Sequence, residues 1–457
     1  MPVDQGFTWG VATSAYQIEG GRGEDGKGDS IWDGFVDRGL APSDGDTACD
    51  HYHRWAQDLD LLAALGVDAY RFSVAWTRIF PDGEGQVNPA GLRFYESLVD
   101  GLLERGIEPW LTLYHWDLPQ SLQDRGGWPR RETVDAFVSY AATLADHLGD
   151  RVQRWITHNE PWVASYLGHL FGVHAPGLRD WEAAVRAGHH ILLSHGLATE
   201  AIRERAEDAQ VGIALDCRPA GPISSRPADA AATRHFDGFR NRWFLDPVFG
   251  RGYPEDVVAE FVRRGHIDSE LSFVRPGDMS AIAAPLDFLG VNYYTTVRVQ
   301  AGGEERDEPE RPPGPHQDPG FTEMGWRIDP TGLRDFLDRI HTEYQPPSIV
   351  ITENGASYSD GPDRTGKVDD NRRIEYLRTH IAAVADAAAD GVPVDGYFVW
   401  TLLDNVEWTH GFDQRFGLVW VDADSKERTP KASYGWYRDS IGDGGWARET
   451  MEGLRSL

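Results

Sequence analysis

The chain has 457 residues, enough for one large α/β barrel or for two to three ordinary domains. Its 73 acidic residues outnumber its 44 basic ones and give a net charge of −29, which argues against nucleic acid and anionic membrane surfaces as partners, because both bind basic faces. A hydrophobic content of 40% and a charged content of 26% are typical of a globular protein, and no apolar run approaches the roughly 20 residues needed to span a bilayer.

Eight strand-like runs follow one another along the chain, at residues 7–13, 69–76, 108–115, 154–160, 211–217, 287–294, 348–353 and 396–400. Stretches with helical periodicity lie between most of them, at residues 54–65, 91–103, 131–148, 183–205, 332–343 and 370–389. Strands that alternate with helices predict a parallel sheet with crossover connections. Because no linker or internal repeat interrupts this order, the sequence predicts a single domain over residues 1–457, a (β/α)8 barrel of the TIM type with long loops at the C-terminal ends of its strands.

Other features bear on where the protein works. The first five residues lack the basic start and apolar core of a signal peptide, so we expect no secretory leader. Cys49 and Cys217 are the only cysteines, which favours a reducing cytoplasm over a disulfide framework. Segment 301–320 is rich in proline and acidic residues and predicts a mobile surface loop. The acidic balance fits either a GC-rich genome or adaptation to high salt, and the sequence leaves open whether the chain forms a homo-oligomer.

Polar, ionisable and aromatic residues gather at the C-terminal ends of the predicted strands. The first run leads into Gln17, the second contains Arg71 and reaches Trp76, and the others carry a larger set: His115, Trp116, Asn159, Glu160, Asn292, Tyr294, Glu353, Asn354 and Trp400. A closed barrel brings these ends to one rim, the usual place for an active site. We therefore expect Glu160 and Glu353 to face each other across the mouth of the barrel.

Two carboxylates among aromatic side chains favour a carbohydrate site. Sugar rings stack on Trp and offer hydroxyl groups to Gln, Asn, His and Glu. Glycoside hydrolysis uses two carboxyl groups, one protonated and one ionised. Apolar residues flank Glu160 and predict a raised pKa, whereas Arg71 and Tyr294, if they converge on Glu353, would keep that group ionised.

The chain resembles glycoside hydrolase family 1, the β-glucosidase family, from about residue 7 to about residue 437. The motifs that carry the resemblance are Phe7-Thr8-Trp9-Gly10, Ala12-Thr13-Ser14-Ala15-Tyr16-Gln17-Ile18-Glu19-Gly20, Asn159-Glu160-Pro161, Ile351-Thr352-Glu353-Asn354-Gly355, Trp400-Thr401-Leu402-Leu403-Asp404-Asn405 and Glu407-Trp408. The resemblance implies a cofactor-free, metal-free retaining β-glycosidase. Its expected substrates are terminal non-reducing β-D-glucosyl residues of cello-oligosaccharides or aryl β-glucosides, with β-galactosidase and β-fucosidase side activity.

The resemblance also implies roles for matching residues. Glu353 matches the nucleophile, and Glu160 matches the group that acts first as acid and then as base. The positions that match substrate-binding residues are Gln17, His115, Trp116, Asn159, Tyr294, Trp400, Glu407, Trp408 and Phe416. Arg71 and Asn292 match supporting residues, and Trp162 and Trp326 resemble aromatic residues on the aglycone side.

Two positions depart from the family pattern. Asp216 stands where Asn is frequent, and it either raises the pKa of Glu160 or points away from it. His158 replaces an apolar or aromatic residue and would alter the shape of the site near the acid.

Three other functions are weighed against hydrolysis of β-glucosides. A 6-phospho-β-glucosidase is disfavoured because the carboxylate of Glu407 would repel a phosphate. A non-hydrolytic sugar-binding barrel would be expected to lack one of the two Glu residues, and both are present. A metal-dependent sugar isomerase needs a cluster of carboxylates and histidines that the sequence does not offer.

Two groups of histidines are expected to be structural. Residues 49–53 contain His51 and His53 in a His-x-His pattern, a weak metal signal without an evident third ligand. His189, His190 and His195 lie in a helical stretch and are expected to pack in the interior.

Overall fold

A computed structural model describes residues 6–41, 45–302 and 320–442. Eight parallel strands form a closed barrel. They are β1 (Thr8–Ala12), β2 (Ala69–Ser73), β3 (Glu108–Tyr114), β4 (Arg154–Asn159), β5 (Gln210–Asp216), β6 (Phe288–Asn292), β7 (Ile349–Asn354) and β8 (Val394–Trp400). Each strand pairs with the next in chain order, and β8 closes the ring on β1 with Ala12 opposite Trp400. The predicted barrel is confirmed.

The barrel has two separate apolar cores because its strands are buried on both faces. The inner core fills the lower part of the barrel, where Trp110 packs against Phe288 and Phe398 with ring centroids 5.2 and 4.9 Å apart. Position 10, beside this inner core, requires glycine, since a Cβ there would lie 2.3 Å from the Phe398 ring. The outer core lies between strands and helices. Because the inner core fills the lower part of the barrel, ligands can enter only from its C-terminal end.

Seven of the helices in the described part of the chain pack around the barrel: α1 (His51–Leu65), α2 (Pro89–Glu104), α3 (Glu132–Leu148), α4 (Trp181–Arg203), α5 (Pro330–Tyr344), α6 (Asn371–Ala389) and α7 (Ala432–Gly442). The first six confirm the predicted helices to within three residues at each end. None of the helices in the described ranges is long and apolar enough to cross a membrane.

Shorter elements occupy the connections. The α-helical ones are Ala15–Ile18, Ile31–Asp37, Trp76–Ile79, Gln120–Asp124, Pro227–Asp237, Trp243–Val248, Glu255–Arg264 and Asp278–Ile282. Glu24–Gly26 and Trp408–Asp413 are 3₁₀ turns, and Val163–Phe171 and Gly238–Arg242 are π-helical. Two short strand pairs, Ala220–Pro222 with Val297–Val299 and Val419–Val421 with Arg428–Pro430, lie outside the barrel. Most of the predicted loop 301–320, residues 303–319, lies outside the described ranges.

One residue expected at the rim lies elsewhere. Strand β2 ends at Ser73, and Trp76 begins a short helix instead of continuing the strand. The Trp76 ring stacks on Tyr140 of α3 with centroids 5.0 Å apart and is fully buried. Its apolar character therefore reflects packing between barrel and helices.

Candidate active site

A cavity of about 860 Å³ opens at the C-terminal ends of the barrel strands. Ten of the residues predicted from the sequence line it: His115, Trp116, Glu160, Tyr294, Trp326, Glu353, Trp400, Glu407, Trp408 and Phe416. Four more lie directly behind this wall and are hydrogen-bonded to it: Gln17, Arg71, Asn159 and Asn292. These fourteen side chains come from seven of the eight strands or from the loops that follow them.

Glu353 lies near the end of β7 and is only 3% exposed. Arg71, reaching across from β2, donates from Nη1 to Glu353 Oε1 over 2.6 Å. The Tyr294 hydroxyl donates to Oε2 over 2.7 Å. A buried guanidinium and a phenol that both donate to one carboxyl group stabilise its anionic form. The predicted convergence of Arg71 and Tyr294 on Glu353 is present in the structure.

Glu160 follows β4 directly and adopts left-handed backbone angles, with φ of 49°. Its backbone N–H donates to the carbonyl of Ala214 over 2.8 Å, which keeps the turn attached to β5. Asn292 donates to its Oε1 over 2.7 Å. Burial, followed by the negative charge of Glu353, raises the pKa of Glu160 to about 8 against weaker opposing effects of Asn292, Arg240 and Arg71. The apolar residues next to Glu160 in sequence predicted this direction, and the charge of Glu353 adds to it.

Asn159 joins the two carboxyl groups. Its Oδ1 accepts from Arg71 Nη2 over 2.7 Å and from Asn292 Nδ2 over 2.9 Å, and these donors also bind Glu353 and Glu160 respectively. Its Nδ2 donates to His115 Nε2 over 3.1 Å. This assigns the His115 proton to Nδ1, which has no hydrogen-bond partner among the described residues. The network fixes Glu160 and Glu353 relative to each other through only three side chains.

A second group of polar residues surrounds Glu407, at the side of the cavity formed after β8. Gln17 donates from Nε2 to the carbonyl of Val406 over 2.9 Å and to Glu407 Oε2 over 3.4 Å. Burial and the charge of Glu353 raise the pKa of Glu407 to about 8, while Gln17 opposes this. Neither Glu160 nor Glu407 forms an ion pair with a cation among the described residues, whereas Glu353 is paired with Arg71.

Aromatic rings form the floor and sides of the cavity. His115 stacks on Trp400 with centroids 5.6 Å apart and an interplanar angle of 18°. Trp116 packs on Trp408 at 4.5 Å, and both adopt left-handed backbone angles, with φ of 74° and 46°. Such strained conformations in bulky residues concentrate at functional sites. On the opposite side, the rings of Tyr294, Trp326 and Phe416 lie within 6.1 Å of one another.

Trp162 is the predicted site residue that does not reach the cavity. It is 2% exposed, and the Arg240 guanidinium lies 3.4 Å from its ring centroid. Phe239 packs edge-on against the same ring. Arg240 covers the ring, so Trp162 does not line the cavity, although it was expected among the aromatic residues on the aglycone side. Trp326 does line the cavity, as expected.

The two departures from the family pattern have structural explanations. Asp216 forms a buried ion pair with Arg240, and both line the cavity. Asp216 is thus neutralised by a partner, and the charge of Arg240 lowers the pKa of Glu160. His158 points away from the cavity, where it stacks on Phe137 at 4.3 Å and hydrogen-bonds Ser194 at 2.8 Å. The expectation that His158 alters the shape near the acid is wrong, since its side chain faces the helices.

Sequence reasoning missed Arg240 and most of the apolar rim. Arg240 lies in a π-helical turn of the long connection between β5 and β6, where no strand end marks it. The apolar rim residues come from two connections far apart in the chain. The only signal in the sequence was an Asp at the end of β5 together with the two arginines of segment 240–242.

Within the described ranges, no cluster of three or more His, Cys, Asp or Glu is arranged to hold a metal ion. His51 bonds Asp58 at 2.8 Å, and His53 bonds Asp50 at 2.6 Å and Glu24 at 2.9 Å. These contacts hold α1 and the neighbouring loop together. In α4, His189, His190 and His195 are all buried and hydrogen-bonded, as expected for structural histidines.

Comparisons with known proteins agree with this site. The chain is 44% identical to β-glucosidase A of Thermotoga maritima over 445 residues, covering 96% of this chain and 98% of that protein. It is 42% identical to a bifunctional β-D-glucosidase/β-D-fucosidase of Bifidobacterium breve, covering 97% and 99% of the two chains. The solved structure of the Thermotoga maritima β-glucosidase in complex with glucoimidazole superposes with a TM-score of 0.90 at 44% identity, covering 97% of this chain and all of that one. The profile of glycosyl hydrolase family 1 matches residues 2–445, and the chain therefore belongs to this family.

Proposed function

We propose that this glycoside hydrolase is a retaining β-glucosidase that removes terminal non-reducing β-D-glucosyl residues from cello-oligosaccharides or aryl β-glucosides. One observation carries the proposal. Two buried carboxyl groups share one hydrogen-bond network but have opposite partners, a guanidinium for Glu353 and an amide in a desolvated setting for Glu160. This is the division between ionised nucleophile and protonated acid that double displacement requires.

In the first step, Glu353 attacks the anomeric carbon while Glu160 gives its proton to the glycosidic oxygen. The bond to the aglycone breaks, the alcohol leaves, and an ester forms between the sugar and Glu353. Arg71 and Tyr294 hold the two oxygens of Glu353 before the attack, which fixes the direction of the nucleophile. The raised pKa keeps Glu160 protonated at neutral pH for this step.

In the second step, Glu160 removes a proton from water, and the hydroxide oxygen displaces Glu353 to release β-glucose. The ester has no charge, so the electrostatic repulsion that helped raise the pKa of Glu160 is gone. The positive charges of Arg240 and Arg71 remain, and both lower the pKa of Glu160. The pKa therefore falls between the steps, and one carboxyl group serves as acid and then as base.

The remaining residues suit recognition of a glucosyl ring. The free Nδ1–H of neutral His115 can donate to a hydroxyl group, because burial and Arg71 hold the pKa of His115 well below its usual value. Gln17 and Glu407 offer further polar atoms at the same end, and the Trp400 ring provides an apolar surface for the sugar. Asn159 supplies an amide beside both carboxyl groups.

Side activity on β-galactosides and β-fucosides belongs to the same proposal. The relative from Bifidobacterium breve is named for both glucosidase and fucosidase activity. A 6-phospho-substrate is disfavoured because Lys431 is buried against Asp404, with 2.7 Å between Nζ and Oδ1, instead of facing the sugar. Use of cello-oligosaccharides would make the enzyme part of cellulose degradation.

We propose a cytoplasmic enzyme, since Cys49 and Cys217 are both free and buried. A homo-oligomer stays a prediction that sedimentation of the purified protein would test.

Chemical rescue tests the proposed roles directly. Glu353→Gly should abolish release of nitrophenol from a nitrophenyl β-glucoside, by roughly 10⁴-fold or more, because no nucleophile remains. Added azide should occupy the vacated space, attack from that side and give α-glucosyl azide.

The matched control is Glu160→Gly, in which the nucleophile is intact. There, azide should intercept the glycosyl-enzyme and give the β-azide. A β-product from Glu353→Gly would mean that the two Glu residues have exchanged roles. Loss of wild-type activity with a chelator would instead favour a metal-dependent reaction.

A further inference from the structure

The cavity end that carries Glu407 is supported from behind by a buried ion pair. Asp404 lies in the connection after β8, shortly before Glu407 in the chain. Lys431 lies directly after the strand Arg428–Pro430, which pairs with Val419–Val421 to form the outer hairpin. Lys431 Nζ donates to Asp404 Oδ1 over 2.7 Å, and both side chains are completely buried. The pair therefore attaches the loop of Glu407 to the outer hairpin.

Other donors complete the surroundings of the Asp404 side chain. The backbone N–H of Gly417 donates to Oδ1 over 2.9 Å, and Arg415 Nη1 donates to Oδ2 over 3.1 Å. Gly417 follows Phe416, an aromatic residue of the cavity wall. Both carboxylate oxygens of Asp404 are thus held, and the segments that carry Glu407 and Phe416 meet at this one side chain.

The backbone of Asp404 is held as well. Its N–H donates to the carbonyl of Val419 over 2.9 Å, and its carbonyl accepts from Cys49 Sγ over 3.1 Å. Further along the same segment, the N–H of Val406 donates to the carbonyl of Gln17 over 3.3 Å. This part of the loop is therefore fixed between the outer hairpin on one side and the turn that carries Gln17 on the other.

Stability alone does not explain why this attachment uses charges. Removing two charges from water costs about as much as their attraction returns, so apolar side chains of similar size would hold the hairpin equally well. The carboxylate of Asp404, however, accepts from Lys431, Gly417 and Arg415, and these bonds fix the direction of the loop as well as its distance. Such bonds suit a loop whose side chains must meet a ligand in one orientation.

The barrel decides which part of the sugar meets Glu407. Glu160 follows β4 and Glu407 follows β8, and these two strands lie on opposite sides of the eight-stranded ring. In the proposed reaction Glu353 attacks the anomeric carbon and Glu160 reaches the glycosidic oxygen, so the ring atoms farthest from the anomeric carbon lie towards β8. In a glucosyl unit those atoms carry the 4- and 6-hydroxyl groups, whereas the 2-hydroxyl lies beside the anomeric carbon, near Asn159.

We propose that the buried pair of Asp404 and Lys431 is a positioning device for Glu407, which it holds in place to bind the 4- and 6-hydroxyl groups of the sugar. The pair thereby sets the preference of the enzyme for glycosides that carry both hydroxyl groups. This role rests on the proposed β-glucosidase activity, and the two residues act on the substrate only through Glu407.

Deoxy substrates test this role. Values of kcat/KM are measured for nitrophenyl β-D-glucoside and for its 2-deoxy, 4-deoxy and 6-deoxy analogues, and the penalty for each missing hydroxyl is the ratio of the parent value to the analogue value. In Asp404→Asn/Lys431→Met, which removes both charges together, the 4-deoxy and 6-deoxy penalties should fall by roughly tenfold, because a displaced Glu407 no longer binds these hydroxyl groups well. The 2-deoxy penalty should stay within about twofold of the wild-type value. A mere loss of folded protein would lower every rate and leave every penalty unchanged.

Two control variants accompany this measurement. Glu407→Ala removes the group that the pair positions and should reduce the same two penalties, and unchanged penalties there would overturn the role of Glu407 and with it that of the pair. Asp58→Asn/Arg428→Met removes another buried ion pair of the outer hairpin, in which Arg428 binds Asp58 of α1 at 2.8 Å. This variant should lower Tm but keep all three penalties, because that pair joins the hairpin to α1 instead of to the loop of Glu407.

A milder variant keeps the test decisive if the double variant does not fold. Cys49→Ala removes the Sγ contact to the carbonyl of Asp404 and should lower the 4-deoxy and 6-deoxy penalties by roughly two- to threefold. Unchanged penalties in whichever of these two variants folds would overturn the positioning role and leave the β-glucosidase function standing. No hydrolysis of nitrophenyl β-D-glucoside by the wild type would overturn the function itself.

Discussion

At the scale of single residues, Glu160 and Glu353 acquire different chemistry from their neighbours although they share one cavity. Arg71 and Tyr294 both donate to Glu353, whereas Glu160 accepts only from the neutral amide of Asn292 among the described residues. The pKa of Glu160 is raised to about 8 by burial first and by Glu353 second. The same side chain that acts as nucleophile therefore also keeps the acid protonated.

This arrangement predicts a specific pH dependence. The first step needs protonated Glu160, so kcat/KM should fall as the pH rises through about 8. With dinitrophenyl β-glucoside, whose leaving group needs no proton, Glu160→Ala should retain formation of the glycosyl-enzyme and lose this alkaline decline. Stopped-flow release of dinitrophenolate across pH 6 to pH 10 would measure both.

Two variants separate Glu160 from other sources of an alkaline decline. Glu407 also has a pKa raised to about 8, so Glu407→Gln should lower activity but keep the decline. The double variant Asp216→Asn/Arg240→Gln removes a buried ion pair without leaving either charge unpaired. Since Arg240 lowers the pKa of Glu160, its loss should move the decline to higher pH. A decline that disappears with Glu407→Gln would assign it to Glu407.

Much of the site could be predicted at this scale, and the limits have physical causes. Strand-end residues such as Glu353 and Trp400 are placed by the barrel alone, so sequence order is sufficient. Trp162 was predicted to lie at the cavity because it is close in sequence to Glu160, which does line the cavity. The tight turn after β4 instead places the Trp162 ring beneath the Arg240 guanidinium. The left-handed conformations of Trp116 and Trp408 have no sequence signal, since neither is Gly or Asn.

At the scale of elements, the hydrophobic periodicity of the sequence predicted the barrel strands and the outer helices, but it did not predict the structure of the connections. Each predicted strand is present because eight buried apolar runs have few alternatives to a parallel sheet. The connection from β5 to β6 contains four short helices that were not predicted. One of them contains Pro247, and a π-helical turn precedes it, so the 3.6-residue period is interrupted at that point.

Helix α6 connects the loops that complete the cavity through one buried arginine. Arg373 forms an ion pair with Asp370 at 2.8 Å and donates to the carbonyl groups of Phe416 and Arg415 over 3.1 and 3.0 Å. It also donates to the carbonyl of Ala356, beyond β7. The loops after β7 and β8 are therefore attached to the same side chain, which holds Phe416 at the cavity wall.

Replacing this arginine should destabilise the fold. Arg373→Met leaves Asp370 and several carbonyl groups buried without this donor, and we expect the free energy of unfolding to fall by about 3–5 kcal/mol. The matched control on the same helix is Arg378→Met, which removes a surface pair with Glu375 and should cost less than about 0.5 kcal/mol. Urea denaturation of both variants would measure the difference. If the free energy of unfolding fell equally in both variants, Arg373 would not be the main connection between these loops.

At the scale of the whole molecule, the closed barrel separates stability from chemistry. Aromatic side chains fill its lower end, and the helices cover its sides, so the cavity at the upper end can hold strained and unpaired polar groups. The first strand and the last described helix are joined, since Tyr437 of α7 donates to the carbonyl of Gly10 in β1 over 3.0 Å. Such closure lets the loops after the strands vary in length without opening the sheet.

The net charge of −29 predicts how stability responds to salt. Like charges spread over one compact molecule repel each other and favour unfolding, whereas isolated surface ion pairs contribute little. Screening should therefore raise Tm by a few degrees between about 10 mM and about 0.5 M sodium chloride, where the Debye length is already short. Sucrose at equal osmolality is the control for effects of excluded solute. A fall in Tm would show that the surface ion pairs together outweigh the repulsion.

The response at higher salt separates the two explanations of the acidic composition. If the composition only reflects a GC-rich genome, Tm should reach a plateau above about 0.5 M sodium chloride, because screening is then complete. A Tm and an activity that keep rising beyond about 1 M would indicate adaptation to a saline environment.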